Sequence, residues 1–162
     1  MKQNSSIKEQ ILHPEQSAKT PLATGREAAA QGVECAEELD ERICTALRAA
    51  SDKKALELVV LDLREVASFT DYFLITSGTN VRQVQAIADE VVERLKKQGT
   101  PAARVEGYNT AEWILLDYGD FIVHVFEDKA RRFYDLERLW RDAAKVSLPA
   151  DLTGGGSLSS ES

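Results

Sequence analysis

The chain has 162 residues, of which 43% are hydrophobic and 29% are charged, and its formal net charge is −7. This length and composition are typical of one globular domain with a sizeable core. An acidic chain lacks the general attraction to nucleic acid and anionic lipid that Lys and Arg provide, so we expect no direct sequence-specific binding of nucleic acid. A small basic protein is a more favourable partner. The apolar runs are too short to span a bilayer, so we expect no membrane segment.

Three zones differ in composition along the chain. Residues 1–33 are polar and show no sustained hydrophobic period, which predicts a disordered N-terminal extension. Residues 34–147 hold the apolar material of one domain. Residues 148–162 end in "TGGGSLSSES", which predicts a flexible Gly/Ser-rich tail.

The first residues and the cysteines bear on location. The opening residues lack an apolar secretory core, and Glu9, Glu15 and Glu27 interrupt any transit-peptide pattern. Cys35 and Cys44 form no CxxC motif, so we expect both to be reduced thiols. These features favour the cytoplasm.

The first half of the domain alternates helical and extended patterns. Apolar residues recur at helical spacing over 36–50, whereas "ALELVVLDL" (55–63) and residues 72–76 are typical of strands. The next helix is the clearest element, because its apolar stripe is narrow and its other faces are polar. That stripe consists of Val81, Val84, Ala88, Val91, Val92 and Leu95.

The boundaries of this helix have their own signals. Thr79 or Asn80 can cap its start, and Gly99 can close its end. A Gly-bearing turn between a strand and a helix is also how many phosphate sites are built. However, "SGTNVRQV" (77–84) has one glycine and no lysine, so it lacks the pattern of Walker and dinucleotide-binding loops. The interpretation we favour is that Gly78 permits a tight turn and Asn80 caps the helix.

The second half of the domain predicts mostly strands. A short strand near 103–106 precedes "WILLDYGDFIVHVF" (113–126), which predicts two strands joined by a hairpin turn at 117–120. A last helix is predicted over 128–145. The whole order predicts an α/β (α+β) domain with a single mixed β-sheet flanked by helices.

Other candidates for chemistry are isolated residues. Nucleotidyl transfer needs two neighbouring carboxylates for Mg²⁺, but Asp62 is followed two positions later by Arg64, and Asp117 and Asp120 are three apart across a turn. His124 could act as a general base, although a mid-strand histidine is more often half-buried and hydrogen-bonded. We therefore expect no catalytic residue, no metal site and no cofactor. A nucleotidyltransferase-like, nucleotide-binding enzyme is the alternative.

The predicted last helix carries more apolar side chains than one sheet-facing stripe can bury. They are Ala130, Phe133, Tyr134, Leu136, Leu139, Trp140 and Ala143. Arg131 and Arg132 lie among them, and the hairpin adds Trp113 and Tyr118. Trp, Tyr and Arg dominate protein–protein hot spots, so the surplus predicts an interface for self-association, for another protein, or for both. A large aromatic core is the other interpretation.

Three long motifs resemble one protein family. In this order, "TDYFLITSGTNVRQVQAIADEV", "EGYNTAEWILLDYGDFIVHVF" and "RRFYDLERLW" are similar to the ribosomal silencing factors, which include iojap-related proteins. The resemblance covers about residues 52–141 and leaves both tails outside. It implies a fold similar to that of nucleotidyltransferases but without their catalytic acidic pair, and no enzymatic activity.

The resemblance also implies a function and partners. Members of this family bind the fourteenth protein of the large ribosomal subunit, on the face that meets the small subunit. Their bulk blocks subunit joining and slows translation when nutrients run short. Members are also similar in forming homodimers, so the resemblance implies a homodimeric translational repressor.

The same resemblance places the expected contact surface on "WILLDYGD" (113–120) and its neighbours. The residues expected to contact the ribosomal protein are Trp113, Leu116, Asp117, Tyr118 and Phe126, followed by Arg131, Arg132 and Tyr134 at the start of the last helix. Trp113 and Tyr118 would supply desolvated area, and Asp117 would meet a Lys or Arg of the basic partner.

Overall fold

The structure is a computed structural model, and it describes residues 7–14 and 39–153. In chain order the elements are α1 (Ile7–Leu12), α2 (Glu41–Asp52), β1 (Leu56–Asp62), β2 (Tyr72–Gly78), α3 (Val81–Lys97), β3 (Arg104–Glu106), β4 (Trp113–Asp117), β5 (Phe121–Glu127), α4 (Asp128–Tyr134), α5 (Leu136–Leu139), β6 (Ala144–Val146) and α6 (Ala150–Thr153). Within these ranges, every helix is too short or too polar to cross a membrane.

The six strands form one sheet in the order β3-β4-β5-β2-β1-β6. Strands β2 and β5 are parallel, and every other neighbouring pair is antiparallel. The prediction of a single mixed sheet flanked by helices is therefore confirmed. The predicted hairpin of β4 and β5 places β5 beside β2 at the centre of the sheet.

Helices α2 and α3 cover one face of the sheet, which we call the first face. Most of the predicted stripe of α3 is buried there, whereas Val81 at its start is 45% exposed. The side chain of Asn80 caps α3, since its Oδ1 accepts a hydrogen bond of 2.9 Å from the backbone N–H of Gln83. Gly99 follows the helix with φ of 90°, as predicted for a glycine that closes a helix.

The opposite face of the sheet, the second face, is covered by α1, α4 and α5. Side chains of β5 alternate between the two faces, as in any strand: Val123 and Val125 join the first-face core, and Ile122 and Phe126 join the second. The second-face core also contains Ile11 of α1. The buried aromatic residues are thus divided between two hydrophobic layers.

The predicted last helix over 128–145 is wrong. Helix α4 ends at Tyr134, where Asp135 takes a left-handed conformation with φ of 50°, and a separate short helix, α5, follows. The chain then forms β6, which pairs with β1 through Val146 opposite Val60. The residues after Asp135 do not continue helix α4. Projecting them around one helix therefore overestimated the exposed apolar surface.

Two predicted boundaries also differ from the structure. The disordered extension predicted for 1–33 contains α1, whose Ile11 is fully buried. The flexible tail predicted from residue 148 begins with α6, whose Leu152 packs into the first-face core. Of these two predicted tails, residues 1–6, 15–33 and 154–162 lie outside the described residues.

The expectation of reduced thiols is wrong for Cys44, which is disulfide-bonded. Cys44 is buried in α2 and packs in the first-face core. Cys35 lies outside the described residues, as does the start of the predicted 36–50 helix, which the structure begins at Glu41.

Candidate functional site

The turn after β2 is held by its own side chains. The amide of Gln83 supports the turn, because its Oε1 accepts from the backbone N–H of Thr79 at 2.8 Å. Its Nε2 donates to the carbonyls of Lys53 and Lys54 at 3.1 and 3.0 Å. With Asn80 Oδ1 accepting from the N–H of Gln83, the backbone N–H groups of Thr79 and Gln83 both have side-chain partners. This geometry supports the capping interpretation over a phosphate site.

The isolated carboxylates are also engaged. Asp62 forms a 2.7 Å ion pair with Arg64, and Asp120 forms a 2.8 Å ion pair with Arg42. Asp117 accepts a 2.9 Å hydrogen bond from the backbone N–H of Gly119, so it shapes the hairpin turn. Across 7–14 and 39–153, the structure brings together no group of three or more acidic, His or Cys side chains that could hold a metal ion.

His124 lies inside the second-face core and has no exposed surface. Its Nδ1 accepts a 3.0 Å hydrogen bond from the indole Nε1–H of Trp113, and the ring of Phe73 lies 4.5 Å away. Burial, together with the smaller effect of the nearby Lys8 charge in the same direction, lowers its pKa from 6.5 to about 3. A neutral, enclosed imidazole of this kind is a structural residue, since a substrate cannot reach it.

Three aromatic rings connect this core to the surface, and we call them the aromatic ridge: Trp113, Tyr134 and Phe133. The ring of Trp113 lies 4.8 Å from that of Tyr134, which lies 5.0 Å from that of Phe133. Trp113 is 4% exposed and stacks on Phe126 at 5.2 Å. Phe133 is 79% exposed, more than any other large hydrophobic side chain in the described part of the chain. The ridge therefore ends in an aromatic side chain without cover.

The sheet separates the residues predicted to form one contact surface. Leu116 and Tyr118 face the first-face core, where Tyr118 stacks on Phe121 at 4.9 Å. Trp113 and Phe126 face the second-face core. Burial raises the pKa of Tyr118 to about 12, which reflects how fully its hydroxyl is enclosed.

The two predicted arginines differ in burial. Arg131 is 6% exposed and links α4 to the sheet, because it donates to Ser77 Oγ at 3.1 Å and to the carbonyl of Leu56 at 3.2 Å. It also pairs with Glu137 at 3.3 Å. Arg132 is exposed, and pairs with Asp128 at 2.7 Å one turn earlier.

Five of the eight predicted contact residues are therefore buried in the single chain: Trp113, Leu116, Tyr118, Phe126 and Arg131. In this arrangement they position the surface and do not form it. Asp117, Arg132 and Tyr134 retain surface that a partner could contact. The cause is that both faces of the sheet are covered: Leu116 and Tyr118 pack in the first-face core, and Trp113 and Phe126 pack in the second-face core.

Sequence reasoning missed two residues at this site. Phe133 was counted among the apolar residues of the last helix but was not singled out. The signal that could have found it is its position between Arg132 and the break after Tyr134. Lys8, whose Nζ lies 4.6 Å from the centre of the Trp113 ring, had no signal, because it belongs to a polar segment without a period.

An α+β domain whose carboxylates are internally paired, and whose aromatic ridge ends in an exposed ring, has the features of a binding protein. The family model described as "Ribosomal silencing factor during starvation" matches residues 36–160. The chain therefore belongs to the ribosomal silencing factor family.

Individual relatives agree with this membership. The chain is 44% identical over 108 residues to the ribosomal silencing factor RsfS of Halalkalibacterium halodurans, covering 67% of this chain and 92% of that protein. It resembles a crystal structure of a protein from Bacillus halodurans with a TM-score of 0.60 and 42% identity, over 67% of this chain and 98% of the other. A mouse relative, "Mitochondrial assembly of ribosomal large subunit protein 1", is 31% identical over 54% of this chain and 40% of its own length.

Proposed function

We propose that the protein is a cytoplasmic translational repressor that binds the large ribosomal subunit and sterically blocks joining of the small subunit, chiefly when nutrients are limiting. The observation that carries this proposal is the family match over residues 36–160, in which the family is described as silencing ribosomes during starvation. The name of the mouse relative, which refers to the large ribosomal subunit, supports the choice of subunit.

The proposed partner on that subunit is its fourteenth ribosomal protein, at the interface between subunits. We place the contact on Phe133, Tyr134 and Arg132, with Asp117 on the hairpin as a further contact. An exposed aromatic side chain beside a partly exposed one provides the desolvated centre that strong contacts need. The net charge of −7 favours a basic protein as partner and speeds their encounter.

The proposed mechanism is steric exclusion. A ligand that occupies the face of one subunit where the other must dock competes with it by mass action, and no bond is made or broken. This mechanism requires no catalytic residue and no cofactor, and the burial of His124 is compatible with it. We further propose that the protein forms a homodimer, which light scattering of the purified chain will test.

Co-sedimentation with isolated large subunits tests the proposal. We expect the purified protein to sediment with large subunits and to reduce their joining with small subunits as its concentration rises. Normal joining at a protein concentration that saturates the subunits would refute the proposal.

A matched pair of variants tests the contact. Phe133→Ala removes the exposed ring, and we expect it to weaken binding to the large subunit about tenfold or more. Val81→Ala, at a 45% exposed side chain that starts α3, is the control and should bind like the wild type. Because both side chains are exposed, both variants should keep the wild-type melting temperature. Equal binding by the two variants would exclude Phe133 from the contact.

A further inference from the structure

Helix α1 lies on the second face although it is outside the residues matched by the family model. That match begins at residue 36, whereas α1 spans Ile7–Leu12. The surface under α1 belongs to the matched part, since it includes Trp113 and Trp140. The indole Nε1–H of Trp140 donates a 2.8 Å hydrogen bond to the carbonyl of Ile11. The side chain of Ile11 has no exposed surface.

Lys8 makes the second set of contacts, at the start of the aromatic ridge. Its Nζ donates a 2.9 Å hydrogen bond to the backbone carbonyl of Trp113 and lies over the indole ring, 4.6 Å from the ring centre. Burial lowers the pKa of Lys8, while the carboxylates of Glu106 and Glu112 act in the opposite direction. The surface therefore offers a cation a carbonyl oxygen, an indole face and two carboxylates.

Helix α1 depends on this surface for its own stability. An isolated helix of six residues does not persist in water, because the cost of its first turn exceeds what its few hydrogen bonds return. Docking and helix formation are thus one equilibrium. We call the chain open when α1 is undocked and unfolded. In this open state, the cation-binding surface around Trp113 and the apolar surface beside Trp140 would both be free.

We propose that α1 is an intramolecular competitor that covers the Trp113 end of the aromatic ridge and is displaced by a basic segment of the ribosomal partner. This inference rests on the proposed function. Lys8 takes the place of a Lys or Arg of the partner, and Ile11 takes the place of an apolar side chain. The partner binds only the open chain, so its apparent dissociation constant equals the intrinsic constant divided by the open fraction. The full contact then extends along the ridge from Trp113 to Phe133.

The docking of α1 can be measured without ribosomes. The chain has two tryptophans, and α1 contacts both, so intrinsic fluorescence reports the cover directly. Ile11→Asp buries a charge against the apolar surface and should release α1, whereas Ile11→Leu keeps the contact. We expect Ile11→Asp to show red-shifted emission and roughly twofold or greater quenching by acrylamide, with Ile11→Leu like the wild type. Equal quenching in the wild type and both variants would refute the docking of α1 over the two tryptophans.

A second variant guards against a general loss of structure. Lys8→Met removes the charge from the Trp113 surface but keeps an apolar chain, and its effect should be in the same direction and smaller. Circular dichroism should show that the helices and strands of both variants are retained. Loss of the cooperative unfolding transition in both variants would show that α1 is part of the domain core and would refute a displaceable cover.

Binding to isolated large subunits then separates this inference from the proposed function. If the proposed function and the competition by α1 both hold, the Ile11→Asp variant, in which α1 is released, binds more tightly than the wild type. The gain is about the inverse of the wild type's open fraction, at least roughly threefold. If wild type and released variant bind equally, α1 does not compete and the inference fails, while the proposed function stands. If neither the wild type nor the released variant binds, the proposed function and the inference both fail.

Discussion

Trp113 and His124, on the adjacent strands β4 and β5, are joined by a 3.0 Å hydrogen bond from the indole N–H to the imidazole Nδ1. Because Nδ1 accepts, the proton of the neutral imidazole is on Nε2. The Nε2 atom is buried and has no hydrogen-bond partner among the described residues. The sequence suggested a contact residue in one case and a candidate base in the other, but the two side chains form one buried unit.

The first prediction concerns the pH dependence of stability. The pKa of His124 is about 3 in the folded chain, against an ordinary value of 6.5 that applies to the unfolded chain. At pH values between these two, the imidazole is protonated in the unfolded chain and neutral in the folded chain. The free energy of unfolding therefore falls as pH falls through this window, by up to about 1.4 kcal/mol per pH unit. From pH 7 to pH 5 the loss from this group should be about 2 kcal/mol.

Urea unfolding of His124→Asn measures this contribution. Asn keeps an acceptor near the position of Nδ1 but does not titrate. The variant should be less stable at pH 7, because it leaves a small cavity, yet should lose less stability than the wild type between pH 7 and pH 5. Parallel pH profiles for the two chains would show that His124 is not the group responsible.

The second prediction separates packing from hydrogen bonding at Trp113. Because this side chain is 4% exposed and stacks on Phe126, Trp113→Ala should lower the free energy of unfolding by about 3–5 kcal/mol. Trp113→Phe keeps an aromatic ring but leaves His124 Nδ1 without its donor, which should cost about 1–3 kcal/mol. Chemical denaturation measures both values, and a near-neutral Trp113→Ala would contradict the burial of the indole.

The third prediction concerns the ion pair of Arg131 and Glu137, which joins α4 to α5. Glu137→Gln leaves the buried guanidinium with less compensation, and should lower the free energy of unfolding by about 1–3 kcal/mol. The exposed pair of Glu93 and Lys97, at 3.6 Å, is the matched control, and Glu93→Gln should change stability little. Thermal and urea unfolding measure both variants. If Glu137→Gln and Glu93→Gln lower the free energy of unfolding equally, the buried pair has no special role.

The fourth prediction concerns Gly107, which approaches the backbone of β4. It has φ of 80°, and a Cβ there would lie 2.2 Å from the carbonyl oxygen of Trp113. Gly107→Ala should therefore lower the free energy of unfolding by about 2 kcal/mol or more. It should also weaken α1 docking, since Lys8 Nζ binds the same carbonyl.

Gly99 provides the control for this substitution. It also has positive φ, 90°, but an added Cβ would meet no other atom within 4 Å. Gly99→Ala should therefore show the conformational cost alone, about 1 kcal/mol. If thermal unfolding gives the same loss for both glycines, the close approach at Gly107 is not the cause.

Local patterns determined much of this structure. The start and end of α3 follow from Asn80, Gly99 and the apolar stripe between them, because caps and periodicity act over a few residues. The β4–β5 hairpin follows in the same way from alternation around Gly119. The hydrogen bond from the N–H of Gly119 to Asp117 is equally local, since the two residues are two positions apart. The family was recognisable for a related reason, because its motifs are continuous segments.

Contacts between distant segments decided the rest. The last predicted helix breaks because Asp135 turns the chain and because Val146 pairs with Val60, 86 positions earlier in the sequence. Burial of Trp113 and Phe126 depends on the second layer that α1, α4 and α5 build. A short segment such as α1 has no helical signal of its own, since its stability comes from the surface on which it docks. The sequence by itself therefore determined the elements and the family, whereas packing between distant parts decided which aromatic residues remain on the surface.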